Sequence, residues 1–306
     1  MVFIQNQKCS FNNSIITMGT FDGIHLGHQK LLQKLRDRAD QLSGEAIVVT
    51  YHHHPLETIH KKTFPYLLTD CDKKEKLLRK YGADCILYLN FDKKMSEMKA
   101  YDFLENILIK KMKMKELIVG YDTHFGKFRE GNIDFLKKYE NRFDYKIHTV
   151  EPYKVFNRII SSSLIRDFIR EGDMLDVHKC LGRNYSLTGK IIVGQRLGRK
   201  IGFPTINISP LEDYKLIPAI GVYISEVFIN EKKYTGVTNI GYSPTLKNNG
   251  IKEVETFILD FDEDVYGKKV EITFLKKIRD EIHFASHKEL IQKINSDIEI
   301  TRDYFC

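Results

Sequence analysis

The feature that most constrains the fold is a change near residue 184 in how strand-like and helix-like segments follow one another. Before it, short apolar runs such as residues 15–18 alternate with segments of helical periodicity such as residues 29–42. Strands separated by single helices predict a parallel sheet covered on both faces. After it, β-like segments follow one another over residues 187–275, separated by Gly, Asn, Pro and Asp turns.

Two domains follow from this change. We predict an α/β domain over residues 1–184 and a small antiparallel β-barrel domain over residues 185–306. A single helical segment, residues 287–304, ends the second domain. The chain of 306 residues is long enough for two domains of ordinary size, and 42% of it is hydrophobic, which suffices for two cores.

Charge and cysteine usage narrow the class of protein. The net charge of +7 suits a protein that handles anions such as nucleotides but falls short of a nucleic-acid-binding signature. The five cysteines are scattered without a CxxC pair, which predicts reduced thiols and no structural zinc site. No signal peptide or membrane-spanning run is visible in the sequence. We therefore expect a cytoplasmic protein.

Residues 19–28, GTFDGIHLGH, lie where a strand gives way to a helix. A helix start offers free N–H groups and a positive dipole end, which together favour phosphate. His25 and His28 could donate hydrogen bonds to phosphoryl oxygens, and Gly27 would let a phosphate approach the backbone. Taken alone, the stretch fits two partly exposed histidines at a helix start better than a site. A zinc site lacks an obvious third ligand, and neither a P-loop nor a GxGxxG motif occurs.

Three further segments add weight to the phosphate interpretation. Residues 19–28 resemble the HxGH motif of the nucleotidyltransferase superfamily, and residues 50–55, TYHHHP, resemble that family's TFxPHP strand end. Residues 120–126, GYDTHFG, resemble a GxDFxFG flavin-side loop, and residues 160–166, ISSSLIR, resemble ISSTxIR. In this order they resemble the FMN adenylyltransferase half of bacterial bifunctional riboflavin kinase/FAD synthetases. The resemblance implies a Rossmann-like nucleotidyltransferase domain.

The resemblance also implies roles for individual residues in adenylyl transfer from ATP to FMN. His25, His28 and Arg166 would be the catalytic residues that hold the ATP phosphates and the developing charge. The other implied ATP contacts are Gly19, Phe21, Asp22, Gly27, Ser161, Ser162 and Ser163. The implied flavin contacts in this half are His54, Pro55, Asp122 and Phe125.

A second motif set lies in the β-rich half. Residues 196–207, RLGRKIGFPTIN, residues 239–245, NIGYSPT, and residues 255–267 resemble the riboflavin kinase domain. The resemblance implies a six-stranded Greek-key barrel in which Glu255 is the general base for the ribityl 5′-hydroxyl. Thr205 and Asn207 would hold Mg²⁺, since hydroxyl and amide oxygens suit a hard cation. The implied ATP contacts are Gly198, Arg199, Gly202 and Pro204, and Arg279 is an implied flavin contact.

We therefore predict a bifunctional enzyme that converts riboflavin to FMN and FMN to FAD. ATP would be the co-substrate, Mg²⁺ the cofactor, and FMN and FAD products rather than prosthetic groups. Its partners would be the small molecules riboflavin, FMN and ATP, without nucleic acid or membrane, and the oligomeric state stays open.

One alternative is a flavin-binding regulator that has lost catalysis, although the implied catalytic residues are present. The other is an adenylyltransferase with an oligonucleotide-binding barrel, although residues 185–306 lack a dense basic and aromatic stripe.

Overall fold

The structure is a computed structural model that describes residues 3–4, 9–51, 66–194, 198, 201–242 and 252–306. The chain divides into two compact units, Met1–Ser162 and Ser163–Cys306. The first is built on a mostly parallel sheet and the second on a closed antiparallel barrel. Both predicted architectures are confirmed. The predicted boundary at residue 184 stays a prediction, because the contact-defined division falls earlier in the chain.

The first unit contains a six-stranded sheet in the order β1-β4-β3-β2-β5-β6. Neighbouring strands from β4 to β6 run parallel, and β1 pairs antiparallel with β4 at the edge. An antiparallel hairpin of β7 and β8 follows the sheet. The strands are β1 Phe3–Ile4, β2 Ser14–Met18, β3 Glu45–Tyr51, β4 Cys85–Leu89, β5 Met114–Gly120, β6 Lys146–Val150, β7 Lys154–Val155 and β8 Arg158–Ile159.

Helices cover both faces of this sheet. They are α1 Leu26–Gln41, α2 Cys71–Lys80, α3 Lys93–Ser96, α4 Ala100–Asp102 continued by the π-helix Phe103–Lys111, the 3₁₀ turn Lys127–Arg129, and α5 Ile133–Phe143. Alternate residues of β3 serve opposite faces, as expected for a strand. Val48 belongs to the apolar cluster with Leu32 and Leu35 of α1, whereas Ile47 belongs to the cluster with Leu104 of the π-helix. Apolar burial on both faces explains why the strands read as continuous hydrophobic runs.

Two cysteines that are distant in sequence meet at the edge of this sheet. Cys9 and Cys85 form a disulfide, with their Cα atoms 5.8 Å apart. The prediction of reduced thiols is therefore wrong for this pair, although Cys71, Cys180 and Cys306 form no disulfide. The spacing of the cysteines could not reveal the pair, because antiparallel pairing of β1 with β4 brings the amino-terminal segment beside β4.

Two helices, α6 Ser162–Glu171 and α7 Met174–Leu181, lead into the second unit. Gly172 adopts a left-handed φ of 84° and separates the two helices. The barrel is closed in the order β9-β10-β13-β12-β11-β14. Its strands are β9 Tyr185–Ile192, β10 Thr205–Pro210, β11 Gly221–Ile229, β12 Lys232–Tyr242, β13 Lys252–Ile258 and β14 Lys269–Arg279.

The carboxyl-terminal helix α8, His287–Phe305, is tied to the barrel by an ion pair. Arg279, at the end of β14, donates from Nε and Nη2 to the buried carboxylate of Asp297 at 2.9 and 2.7 Å. A buried carboxylate requires such a partner, since an isolated charge inside a protein is costly. Among the described helices, none has the length and apolar character needed to cross a bilayer.

Candidate active sites

The first candidate site lies at the carboxyl ends of the parallel strands. A cavity of about 320 Å³ opens there, lined by residues at the end of β3 and by residues that follow β2, β4, β5 and β6. Ligands of parallel α/β sheets characteristically bind at this edge. The predicted residues Gly19, Phe21, His25, Gly27 and His28 all line it.

The two histidines of the cavity are placed by the start of α1. His25 is the N-cap residue, and its Nδ1 accepts a hydrogen bond from the His28 backbone N–H at 3.3 Å. The rings of His25 and His28 stack with centroids 3.7 Å apart and planes inclined by 16°. An acceptor Nδ1 puts the ring proton of a neutral His25 on Nε2, which can then donate to an anion. The spacing HxGH is thus a capping geometry, and its contact with phosphate stays a prediction.

Asp22, a predicted ATP contact, is engaged with the protein backbone. Its carboxylate is buried and accepts hydrogen bonds from the backbone N–H groups of Leu68 at 2.9 Å and Thr69 at 3.2 Å. Gly23 N–H in turn donates to the Thr69 hydroxyl. Ser162, another predicted ATP contact, donates its hydroxyl to the Asp22 carbonyl at 2.9 Å. These bonds hold the loop before α1 in place, and direct phosphate contacts by Asp22 and Ser162 stay predictions.

Two of the predicted flavin contacts line the same cavity. Asp122 and Phe125 both line the cavity from the loop after β5. Phe125 packs against Phe103 and Phe135, with ring centroids 5.6 and 5.9 Å away. Its backbone N–H and carbonyl pair with those of Gly131, which closes the loop. An apolar aromatic wall of this kind suits a planar ring system.

Several predicted residues of this half cannot be placed around the cavity. His54 and Pro55 lie outside the described residues. Ser161 directly follows Ile160, which lines the cavity. Ser163 and Arg166, on α6, belong to the second unit, where Arg166 is buried. The contacts of these residues with ATP or flavin stay predictions.

The second candidate site is a row of polar side chains across three strands of the barrel. Glu255 on β13 is opposite Asn207 on β10 and opposite Asn239 on β12. These three residues are half-buried, whereas their neighbours Ile206, Val254 and Ile240 point into the barrel core. Directly opposed residues on antiparallel strands have side chains about 5 Å apart. The row therefore lies on the outer face of the barrel.

Glu255 has the environment of a general base. Burial raises the pKa of its carboxyl, and the nearby Glu253 carboxylate raises the pKa further. The Asn207 amide hydrogen-bonds to Glu255 and lowers the pKa in part. A carboxyl group whose pKa is displaced toward neutrality accepts a proton more readily than an ordinary surface carboxylate.

Two glycines that precede β10 in the chain, Gly194 and Gly198, lie close to its residues Asn207 and Thr205. A Cβ on Gly194 would overlap the Asn207 amide, and a Cβ on Gly198 would lie 3.4 Å from the Thr205 hydroxyl. The Gly198 carbonyl accepts from the backbone N–H of Phe203 at 2.8 Å. Gly202 adopts a left-handed φ of 89° in a turn that glycine enters without strain. The glycines thus leave room beside the predicted metal ligands.

The other predicted residues of the kinase loop are only partly located. Pro204 directly precedes β10, and Arg199 lies outside the described residues. Arg279 is bound to Asp297, and its Nη1 donates to the Asp280 carbonyl at 3.0 Å. Its guanidinium therefore anchors α8, and a contact with flavin stays a prediction.

Known proteins identify both halves. The FAD synthetase family model matches residues 7–164, and the riboflavin kinase family model matches residues 181–305. The chain is 37% identical over 304 residues to the bifunctional riboflavin kinase/FMN adenylyltransferase of Buchnera aphidicola from Acyrthosiphon pisum, covering 99% of this chain and 96% of that protein. The chain belongs to the bifunctional riboflavin kinase/FMN adenylyltransferase family.

Two further relatives agree over nearly the whole chain. The Escherichia coli K12 member of this family is 34% identical, covering 95% of this chain and 92% of that protein. A crystal structure titled as a macrolide-efflux protein from Streptococcus pneumoniae superposes with a TM-score of 0.87 at 30% identity, covering 97% of this chain and 96% of that one. The predicted function is confirmed: the chain combines riboflavin kinase and FMN adenylyltransferase activities, with the adenylyltransferase first.

Sequence reasoning did not assign every residue of the two family sites. Tyr153 and Met98 line the adenylyltransferase cavity but lie outside the motifs that carried the resemblance. Asn239 lies within the quoted segment 239–245, and Glu281 lies two residues beyond Arg279, but neither of them was assigned a role from the sequence. The strand alternation around Asn239 was a usable signal, because it places Asn239 on the face opposite the buried Thr238 and Ile240.

Proposed function

We propose that Glu255, Asn207 and Thr205 carry the kinase step and that His25 and His28 carry the adenylyl transfer. The observation that supports the first assignment best is the hydrogen bond between the Asn207 amide and the half-buried Glu255. For the second, it is the stacked histidine pair at the start of α1, in a cavity that Asp122 and Phe125 also line.

In the kinase step, Glu255 accepts the proton of the ribityl 5′-hydroxyl. The 5′-oxygen forms a bond to the γ-phosphorus of ATP while the bond from that phosphorus to ADP breaks. The Asn207 NH₂ group donates to Glu255, which leaves its Oδ1 for a cation, and the Thr205 hydroxyl lies on the same strand face. These oxygen donors fit Mg²⁺, which would neutralise charge on the phosphates.

In the adenylyl transfer, an FMN phosphate oxygen attacks the α-phosphorus of ATP and pyrophosphate leaves. No covalent nucleophile is needed, so position and charge stabilisation supply the rate. His25 Nε2–H donates to a phosphoryl oxygen while its Nδ1 caps α1. The helix N-terminus and the ring of His28 stabilise the same negative charge.

Both sites bind small molecules, and FMN and FAD leave as products. The cytoplasmic location and the Mg²⁺ requirement belong to this proposal. The donor set at Thr205 and Asn207 supports Mg²⁺ because it contains only oxygen ligands.

A two-variant assay tests the assignment. Purified protein is incubated with riboflavin, ATP and Mg²⁺, and the flavins are separated by chromatography. Glu255→Ala should abolish FMN formation but leave FAD formation from supplied FMN, whereas His28→Ala should do the reverse. EDTA should stop both steps, and excess Mg²⁺ should restore them.

Melting temperatures of both variants show whether each is folded. If one folded variant lost both activities, the two-site assignment would be wrong. Absence of both FMN and FAD from the wild-type reaction would contradict the proposed function itself.

A further inference from the structure

A carboxylate that has no role in the proposed kinase mechanism lies beside its polar row. Gly241 on β12 is two residues beyond Asn239 and therefore on the same face of the strand. A Cβ built on Gly241 would lie 2.6 Å from Glu281 Oε1 and 3.6 Å from Asn239 Nδ2. The Glu281 carboxylate thus rests on the bare backbone of β12, next to the side chain opposite the general base Glu255.

The position of Glu281 is set by the segment that precedes it. Arg279 is held by Asp297 of α8, and its Nη1 binds the Asp280 carbonyl. The Asp280 carboxylate pairs with Lys277 of β14. These contacts fix the chain immediately before Glu281, so its side chain reaches Gly241 from an anchored backbone.

The distances match one part of the kinase substrate. Residues two apart on a strand are separated by about 6.6 Å, which is roughly the displacement from Glu255 and Asn239 to Gly241. An extended ribityl chain covers about 5 to 6 Å between its 5′-oxygen and the inner carbons that carry hydroxyl groups, given bonds of about 1.5 Å. A ribityl chain whose 5′-hydroxyl meets Glu255 is therefore long enough to bring an inner hydroxyl to the Glu281 carboxylate.

The chemistry of the two groups also fits. A hydroxyl group donates well to a carboxylate, and such a charge-assisted hydrogen bond is stronger than a neutral one. Gly241 is buried with the Glu281 carboxylate against it, whereas Glu281 as a whole is exposed and therefore open to a ligand. We propose that Glu281 binds inner hydroxyl groups of the ribityl chain and so contributes to the selection of riboflavin. The proposal rests on the proposed kinase function of this barrel.

Glu281→Gln tests the proposal because it keeps the shape and removes the charge. The KM for riboflavin in FMN formation should rise by about tenfold or more, since hydrogen bonds to charged groups are the strong ones. The KM for ATP and the formation of FAD from FMN should not change. Glu299→Gln, which changes an exposed carboxylate on α8, is the matched control and should leave the KM for riboflavin unchanged.

Lumiflavin separates a ribityl contact from a ring contact. It keeps the isoalloxazine ring but has a methyl group where riboflavin has the ribityl chain, and it is used as a competitive inhibitor of FMN formation. In Glu281→Gln its inhibition constant should equal that of the wild type. Equal weakening of riboflavin and lumiflavin, or no weakening of riboflavin, would overturn the proposal.

Gly241→Ala provides an independent route to the same effect. Gly241 is not among the left-handed glycines, so its backbone accepts alanine, and the atom it displaces is the flexible end of Glu281. The KM for riboflavin should rise as in Glu281→Gln, and the double variant should be no worse than either single one. Additive effects would overturn the proposed placement. If the wild type made no FMN from riboflavin, the proposed kinase function would fail instead.

Discussion

At the scale of single residues, each site depends on groups whose chemistry is altered by a neighbour. The Nδ1 of His25 caps α1 by accepting a hydrogen bond. The ring proton of a neutral His25 is therefore on Nε2, which can act as a donor. Glu255 is half-buried between two asparagine-bearing strands and near Glu253, and its pKa is raised as a result. The same residue types at exposed positions would have ordinary properties.

The raised pKa of Glu255 predicts the pH dependence of FMN formation. A general base works only when deprotonated, so activity should fall at low pH, and it should begin to fall at a higher pH than for an ordinary glutamate. Glu253→Gln removes a negative neighbour and lowers the pKa of Glu255. The acid limb of kcat/KM for riboflavin should therefore move to lower pH. Profiles measured for wild type, Glu253→Gln and the control Glu299→Gln test this.

Two results would contradict that prediction. One is an acid limb that does not move in Glu253→Gln. The other is an equal shift in the pH profile of FAD formation, which depends on different residues and should not respond.

At the scale of elements, the start of α1 combines an observed capping role with a proposed catalytic one. Its first turn has no acidic residue, and the capping acceptor is the side chain of His25. Loss of a capping side chain typically destabilises a protein by about 1 kcal/mol. The helix therefore needs a side chain at position 25 that accepts a hydrogen bond from the His28 N–H. The proposed reaction needs the same side chain to donate a hydrogen bond to phosphate.

Two substitutions separate these roles. His25→Ala should lower the free energy of unfolding by about 1 kcal/mol and abolish FAD formation. His25→Asn should retain most of the stability, since asparagine is a strong N-cap residue, yet FAD formation should still be lost. Chemical unfolding and flavin assays measure both effects, and FMN formation serves as the internal control. Full FAD formation by His25→Asn would show that capping alone is the role of His25.

At the scale of the whole molecule, the two compact units divide the chemistry. The described residues that line the adenylyltransferase cavity all belong to the first unit, and the described residues of the kinase row all belong to the second. Helices α6 and α7 mostly belong with the barrel. The Ala219 N–H donates to the Ile169 carbonyl of α6, and a Cβ on Gly172 would touch Tyr223 and Lys277.

These contacts predict how truncated chains behave. A fragment of residues 163–306 should fold and convert riboflavin to FMN. A fragment of residues 185–306 lacks α6 and α7 and should unfold at least about 4 °C lower, since it loses the contacts with Ile169 and Gly172. Thermal unfolding of the two fragments measures the difference. Equal melting temperatures would favour the boundary predicted at residue 184.

The sequence by itself determined the class of each half, because hydrophobic periodicity reports which faces of an element are buried. The motifs around His25, Asp122 and Glu255 also pointed to the right chemistry, since each is a local run of residues in a turn or a strand. Local patterns suffice where the structural cause is local.

Only the tertiary structure decided which distant residues meet. The register of β10, β13 and β12 aligned Asn207, Glu255 and Asn239, and the bare backbone of Gly241 admitted Glu281. Pairing of β1 with β4 brought Cys9 next to Cys85, and packing of α8 on the barrel allowed Arg279 to form an ion pair with Asp297. Register and long-range packing depend on the whole chain collapsing around two cores, and no short stretch of sequence contains that information.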